Sequence, residues 1–370
     1  MKKHSTWKKV LLDILLTGVA LVVFALFHHV LPRRQESVGI VIPNPYSEAA
    51  VEETAGNMSF AYLAAAGDGV SITDTGLSRL SAASWGRGGR GNVPTGKGGS
   101  ALTGEETEEA AEADDTPMRD KFSDRYTDTV ETTETSYVSP NISITVSEES
   151  LDEGRITYYL ADIYLRDITS FQTVLAGNTY GRGYRAEITD MAGLASALVA
   201  VNGDYYGNTD EGVVIRNGVI YRANPTDCDV CVLYYDGTMR VIPGSSFSVE
   251  DAIADGAWQA WTFGPALLDS EGNAVSNFAS TGRIISANPR TAIGYYEKGH
   301  YCLVVVDGRG DSAGITLPEL SELFASLGCK AAYNLDGGNS SIMVWNDEVI
   351  NDPSGGGRQS SDAVLIAEVE

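Results

Sequence analysis

Residues 301–336 read YCLVVVDGRGDSAGITLPELSELFASLGCKAAYNLD, and this stretch decides the fold class. Its apolar runs Tyr301–Val306 and Ala331–Leu335 predict two buried strands. Between them a helix is predicted to start at Thr316, which forms a capping box with Glu319. A strand–helix–strand unit of this length is most simply a crossover, so both strands should run in the same direction.

Both strands lead into acidic turns, with Asp307 after the first and Asp336 after the second. Strands that run in the same direction end at one edge of a sheet, and α/β sheets place ligands at that edge. A third apolar run, Leu198–Val201, leads into Asp204 and has the same form. The sequence therefore predicts that three aspartates meet at one site.

The surrounding region, residues 141–370, reads as short strands separated by turns. Arg155–Arg166 and Phe171–Ala176 predict strands, and Asn217-Gly218 and Asp236-Gly237 predict hairpin turns. Helical patterns are few, at Thr189–Ala197, Ser248–Gly256 and Thr316–Leu327. We predict an α+β domain built on a mixed β-sheet with few helices.

The N-terminal part, residues 1–34, predicts a cytoplasmic tip and one transmembrane helix. Val10–Phe27 is apolar with Asp13 as its single charge, and extending it to Leu31 gives about the 20 residues that span a bilayer. Lysines precede it, so the N-terminus should be cytoplasmic and the remaining chain outside the cell. HHVLPRR follows without a small-residue cleavage site, which disfavours a cleaved signal peptide.

Residues 35–140 predict a disordered linker. Gly, Ser, Thr and Ala dominate it, and acidic residues accumulate from Glu105 onward, so the segment is too polar to bury a core. The whole chain has a net charge of −24, from 26 basic and 50 acidic residues. Because no cluster of basic residues stands against this charge, nucleic acid is excluded as a partner.

Carboxylates and arginines make up the candidate site. The predicted catalytic residues are Asp204, Asp307, Asp336 and Arg290. The guanidinium groups of Arg290 and Arg309 suit a phosphate or a carboxylate, and the bare backbone of Gly337-Gly338 suits an anion. Such a set could serve glycosyl transfer or hydrolysis in which the leaving group is a phosphate, because that group needs charge neutralisation more than a strong acid.

Each of these features also has a structural interpretation. Asp-Gly pairs are common in turns, and Arg290 alone could form a surface ion pair. No cofactor or metal is predicted; the Asp-rich turns leave a divalent cation open, but no EF-hand-like spacing supports one. The pair Cys228 and Cys231 lies on a strand pattern, which disfavours a thiol redox protein. Cys302 and Cys329 are predicted to be buried thiols, with a disulfide as the alternative.

Five motifs resemble the phosphodiester glycosidase family over about residues 190–370. They are NGDYYG (202–207), NPRTAIG (288–294), VVVDGRGDSAGITLPEL (304–320), LG (327–328) and NLDGGNSS (334–341). The resemblance implies that the pocket residues are Asn202, Asp204, Arg290, Thr291, Asp307, Arg309, Asp336, Gly337, Gly338 and Ser340. Residues 355–358 resemble the closing glycine–arginine segment and add Arg358. One departure is Asn339, which stands where the family commonly has a third glycine.

These observations together predict an extracytoplasmic hydrolase that cleaves a glycosyl-1-phosphodiester bond in a cell-surface or exopolysaccharide glycan. Its partners would be that glycan and, through the N-terminal helix, the membrane. The alternative is a non-catalytic surface module that binds glycans or assists polysaccharide assembly. Such a module would bind polysaccharide saturably without turning it over.

Overall fold

The structure is a computed structural model that describes residue 17 and residues 39–45, 116–279 and 282–369. Among these residues no helix is long and apolar enough to cross a bilayer. Apart from residue 17, the predicted transmembrane segment lies outside the described residues, and so do residues 35–38 and 46–115 of the predicted linker.

Strands dominate the described part of the chain. In order they are β1 (Ile40–Val41), β2 (Glu131–Thr132), β3 (Ser136–Val138), β4 (Ile142–Leu151), β5 (Ile156–Leu165), β6 (Phe171–Leu175), β7 (Val199–Asn202), β8 (Val213–Arg216), β9 (Val219–Ala223), β10 (Val230–Tyr234), β11 (Met239–Ile242), β12 (Ala257–Thr262), β13 (Arg290–Glu297), β14 (His300–Val306), β15 (Ala331–Asn334), β16 (Met343–Trp345), β17 (Glu348–Val349) and β18 (Asp362–Ile366). The α-helices described are α1 (Ile188–Leu194), α2 (Val249–Ala254), α3 (Gly282–Ile285) and α4 (Leu317–Ser326). The predicted α+β class with few helices is confirmed.

The strands form three sheets. A six-stranded sheet has the order β1-β9-β8-β12-β10-β11, a seven-stranded sheet has β15-β13-β14-β5-β4-β3-β2, and a five-stranded sheet has β17-β16-β7-β18-β6. All the strand pairs described are antiparallel. The prediction of a mixed sheet is therefore wrong, because none of the described strand pairs is parallel.

The crossover itself explains this difference. β14 and β15 run in the same direction, as predicted, but each pairs antiparallel with β13, which lies between them. β13 joins β14 through a tight turn, so α4 carries the chain across β13 to its far side. The carboxyl ends of β14 and β15 still lie at one edge, which places Asp307 and Asp336 there.

Helix α4 forms as its sequence predicts. Thr316 Oγ1 accepts from the Glu319 amide at 3.3 Å, and the Glu319 carboxylate accepts from the Thr316 amide at 2.9 Å. Leu320 and Phe324 are fully buried in a cluster with Val304 of β14. Burying each such side chain contributes roughly 1.5–3 kcal/mol, so α4 is fixed firmly over the seven-stranded sheet.

All three sheets contribute to one central core. Leu303 of the seven-stranded sheet, Val201 of the five-stranded sheet and Trp261 of the six-stranded sheet belong to the same buried cluster. On the opposite faces, α4, α1 and α2 each pack in a separate apolar cluster. Side chains at the strand ends where the sheets meet are therefore held by rigid, buried backbone.

The predicted hairpin turn forms, whereas parts of the predicted linker pair with the sheets. Asn217 and Gly218 have φ of 51° and 72° in the β8–β9 hairpin, the geometry that Asn-Gly favours. However, β1 pairs with β9, and β2 and β3 extend the sheet beyond β4. Residues 39–45 and 116–140 thus contact the domain through side chains as well, because Ile42 is buried in the cluster of α2, and Met118 and Tyr137 pack against the central core.

Candidate active site

A small pocket, partly open to solvent, lies where the sheets meet. Asp204, which follows β7, and Asp336, which follows β15, both line it, although their strands belong to different sheets. Arg358 lines it as well. Three residues expected from the family resemblance are thus brought to one pocket. The complete lining is Arg185, Asp204, Tyr205, Asn208, Asp336, Arg358, Gln359, Ser360 and Ser361.

Asp336 is fixed on both oxygens. Its Oδ1 accepts from the Gly337 amide at 3.0 Å, and its Oδ2 accepts from Ser340 Oγ at 2.8 Å and from Arg358 Nη2 at 2.7 Å. Burial raises the pKa of Asp336 above its usual value, although the bonds from Ser340 and Arg358 oppose that shift. The carboxyl therefore keeps its proton to a higher pH than an exposed aspartate would.

Asp204 is held from below the pocket by Arg216, the last residue of β8. Arg216 Nη2 lies 2.9 Å from Oδ2 of Asp204 and 2.9 Å from Oδ2 of Asp362, and all three side chains are essentially inaccessible. Asp204 also accepts from the amides of Tyr206 and Thr262, each at 3.0 Å. The Asp204 carboxylate is consequently locked in place and has its charge compensated.

Asp362, the first residue of β18, shares that single guanidinium. Burial raises the pKa of Asp362 to about 8; Arg216 opposes the shift, while Asp204 and Asp336 add to it. Its Oδ1 is buried without a hydrogen-bond partner in the described structure and faces Gly203, where any side chain would collide with it. Burial, together with repulsion from the Asp204 carboxylate, therefore makes Asp362 resist ionisation.

Asn202 connects the floor of the pocket across two sheets. Its Nδ2 donates to the Asp336 carbonyl at 2.7 Å, and its Oδ1 accepts from the Thr291 hydroxyl at 2.7 Å. Asn202 and Thr291 are fully buried. Asn202 and Thr291, which were predicted to bind substrate, therefore support the position of Asp336 in the structure.

The glycine turn after Asp336 does not form the anion cradle that the sequence predicts. The Gly337 amide donates to Asp336 Oδ1, and the Gly338 amide donates to the Pro289 carbonyl at 2.9 Å. Gly338 has a φ of 67°, the left-handed region that favours glycine. The two glycines shape the turn, and their amides are already occupied by protein acceptors.

Asp307 does not line the pocket. Its Oδ1 accepts from Asn351 Nδ2 at 2.7 Å and its Oδ2 from the Asp352 amide at 3.0 Å. Burial raises the pKa of Asp307, and these two bonds oppose that shift. Because Asn351 also donates to the Ser341 carbonyl at 3.1 Å, Asp307 supports the turn that follows Asp336.

The predicted arginines Arg290 and Arg309 also lie outside the pocket lining. Arg290 donates to the carbonyls of Ile284, Ser286 and Ile315, and burial, with repulsion from Arg309, lowers its pKa to about 10. Arg309 donates to the Asn339 and Asn288 side-chain oxygens at 3.0 and 2.7 Å. Asn339, the departure from the family's glycine, thus anchors Arg309 to the turn.

Sequence reasoning missed several residues of the pocket and its floor. Arg185, Tyr205 and Asn208 line the pocket, while Arg216 pairs with both Asp204 and Asp362 beneath it. Some signal was present, since Tyr205 lies in the NGDYYG motif and Arg216 and Asp362 are charged residues beside apolar runs.

Neither cysteine pair forms a disulfide or a metal site. Cys302 Sγ and Cys329 Sγ lie 3.9 Å apart as buried free thiols, and burial raises the pKa of Cys302. Cys231 is buried with a raised pKa, while Cys228 is exposed. Within the described residues, no group of three His, Cys, Asp or Glu side chains is placed to hold a metal ion.

Comparison with known proteins shows which class of proteins this domain resembles. Residues 195–367 match the family model described as phosphodiester glycosidase, so the resemblance seen in the motifs is confirmed. A 184-residue match is 32% identical to the SPbeta prophage-derived uncharacterized protein YomE of Bacillus subtilis (strain 168), over 48% of this chain and 29% of that protein.

Two further relatives share a name. A 178-residue match is 28% identical to the Bos taurus N-acetylglucosamine-1-phosphodiester alpha-N-acetylglucosaminidase, over 48% of this chain and 29% of that protein. The chain thus matches less than a third of the length of either curated relative. The catalytic domain of the zebrafish N-acetylglucosamine-1-phosphodiester alpha-N-acetylglucosaminidase aligns with a TM-score of 0.51 at 22% identity, covering 65% of this chain and 89% of that one. This likeness shows a shared fold.

Proposed function

We propose that this protein is a hydrolase that cleaves the bond between the anomeric carbon of a sugar and the oxygen of a phosphodiester. Water adds across that bond, which releases the free sugar and a phosphate monoester. The observation that carries the proposal is the shared pocket of Asp204, Asp336 and Arg358, inside a domain that matches the phosphodiester glycosidase family.

The two carboxyl groups have different surroundings and therefore suit different tasks. Asp204 is fixed beneath the pocket by Arg216 and two backbone amides, so it suits holding the pocket floor in shape. Asp336 lies beside Arg358 and Ser340 with a raised pKa, so we place it next to the reacting bond. The leaving phosphate monoester is a weak base, and Arg358 is placed to offset its charge.

The location and the natural substrate are part of the same proposal. An apolar segment from Val10 to Phe27 follows a lysine-rich start, which supports a membrane anchor with the domain outside the cell. A phosphodiester-linked sugar in a cell-surface or exopolysaccharide glycan would then be within reach. The bovine relative's name specifies N-acetylglucosamine, which makes that sugar the first to test here.

The experiment incubates the purified full-length protein with a panel of sugar-1-phosphodiesters, with and without a chelator, and measures released sugar. We expect release by the wild type and loss of release in Asp336→Asn, with an unchanged circular dichroism spectrum and melting temperature. Asp311→Asn, an exposed aspartate outside the pocket lining, is the matched control and should remain active. Full activity of Asp336→Asn contradicts the role of Asp336. Saturable glycan binding by a wild type that releases no sugar would instead support the non-catalytic module.

A further inference from the structure

One wall of the pocket comes from a segment outside the family match. Arg185 lines the pocket together with Arg358, but it precedes residues 195–367, the part that matches the family model. Neither the sequence motifs nor the family match therefore gives this arginine a role.

The segment that carries Arg185 is anchored on both sides. Ala186 and Ser360 exchange backbone hydrogen bonds of 3.0 Å in each direction, which ties the segment to the loop that carries Arg358. Upstream, the Tyr180 ring stacks on Tyr206 with ring centroids 5.3 Å apart. These contacts fix the backbone that presents Arg185, an exposed residue, at the pocket wall.

The charge of Arg185 is not neutralised by a carboxylate. Arg358 pairs with Asp336, and Arg182 of the same segment pairs with Asp210 at 3.0 Å. Arg185 instead donates to the neutral side-chain oxygen of Asn208, and no carboxylate within the described residues lies at ion-pairing distance from it. Arg185 therefore gives the pocket a positive charge that a bound anion can neutralise.

We infer that Arg185 and Asn208 bind the phosphate group of the substrate and so select a phosphodiester over a neutral glycoside. A guanidinium offers paired donors that match two phosphate oxygens, and the amide nitrogen of Asn208 supplies further donors because its oxygen faces Arg185. The sugar then extends along the pocket towards Asp336. This inference rests on the proposed function and adds the residues that recognise the anion, a task the sequence assigned to Arg290 and Arg309.

The test is equilibrium binding, which does not depend on turnover. Isothermal titration calorimetry on the full-length protein uses a panel of sugar 1-phosphates, including N-acetylglucosamine 1-phosphate, and the corresponding free sugars. Arg185→Ala should weaken sugar 1-phosphate binding roughly tenfold or more, and leave the affinity for the free sugar unchanged. Arg185→Lys, which keeps a charge but loses the paired donors, should fall between. Arg182→Ala is the matched control and should bind as the wild type does.

The outcomes separate this inference from the proposed function. If the wild type releases sugar from phosphodiesters and Arg185→Ala binds sugar 1-phosphates equally well, the inference is overturned while the function stands. If the wild type binds sugar 1-phosphates through Arg185 but releases no sugar, the inference stands and the proposed hydrolysis fails. Absence of sugar 1-phosphate binding by the wild type overturns the inference outright.

Discussion

Asn202 Nδ2 donates a 2.7 Å hydrogen bond to the backbone carbonyl of Asp336. This single bond joins the end of β7 in the five-stranded sheet to the end of β15 in the seven-stranded sheet. The position of the Asp336 carboxyl therefore depends on a residue that does not line the pocket. Such buried polar contacts act together with the strand ends to determine the geometry of the site.

The Asn202 contact can be tested by substitution. Asn202→Ala leaves the Asp336 carbonyl and the Thr291 hydroxyl without their buried partner, so we expect a loss of about 1–3 kcal/mol in unfolding free energy. Sugar release should fall as well, because Asp336 is no longer held. Chemical denaturation and kinetics measure the two effects. Asn141→Ala, at an exposed position, is the control, and wild-type stability of Asn202→Ala would contradict the argument.

The buried group of Arg216, Asp204 and Asp362 should respond to both mutation and pH. Arg216→Met leaves two buried carboxylates without a cation and should cost about 3–5 kcal/mol of unfolding free energy. The pKa of Asp362 is raised to about 8 in the folded protein, against about 3.9 for an unperturbed aspartate. Between these values the folded state binds more protons, so this residue's contribution to stability falls as pH rises from about 4 to about 8.

Asp362→Asn should remove that pH dependence with little change in volume. Denaturant titrations at several pH values should show wild-type stability falling relative to Asp362→Asn as pH increases through this interval. A constant difference between the two proteins across the interval would mean that Asp362 is ionised throughout. Arg240 and Asp255 form an exposed ion pair, and Asp255→Asn provides a control without a buried charge.

The sequence predicts contacts between residues that are close in the chain better than contacts between residues that are distant in it. The Asn217-Gly218 turn and the Thr316–Glu319 capping box involve neighbours in the chain, and both form as predicted. The contact between Arg216 and Asp362 joins residues far apart in the sequence, and no periodicity or turn pattern reports such a pairing. Asp204 and Asp336 at the strand ends were accordingly predicted, whereas the buried Arg216 and Asp362 beneath them were missed.

Asp307 provides a test of which predicted aspartates act on substrate. Its oxygens accept from Asn351 and the Asp352 amide, and an asparagine would turn an amide group towards one of these donors. Asp307→Asn should therefore lower the unfolding free energy by about 1–3 kcal/mol and leave the KM for a sugar-1-phosphodiester unchanged. A raised KM in a variant of wild-type stability would indicate instead that Asp307 contacts the substrate directly.

Tyr205 offers an aromatic surface at the pocket. It lines the pocket, is 38% exposed, and its ring centroid lies 6.0 Å from the Arg358 guanidinium. An exposed ring can stack on the apolar face of a sugar, so Tyr205→Ala should raise KM several-fold, whereas Tyr205→Phe should retain most of the affinity. Equal kinetics for Tyr205→Ala and the wild type would exclude this role.

The cysteines distinguish a hydrolase from a thiol redox protein. Cys228 is exposed, whereas Cys231, Cys302 and Cys329 are buried free thiols, and burial raises the pKa of Cys231 and Cys302. Since the thiolate is the reactive form, Ellman's reagent should modify Cys228 rapidly in the native protein and the other three only after denaturation. Cys228→Ser should abolish the rapid phase and leave sugar release unchanged. Loss of activity in Cys228→Ser, or rapid reaction of Cys231, would support thiol chemistry instead.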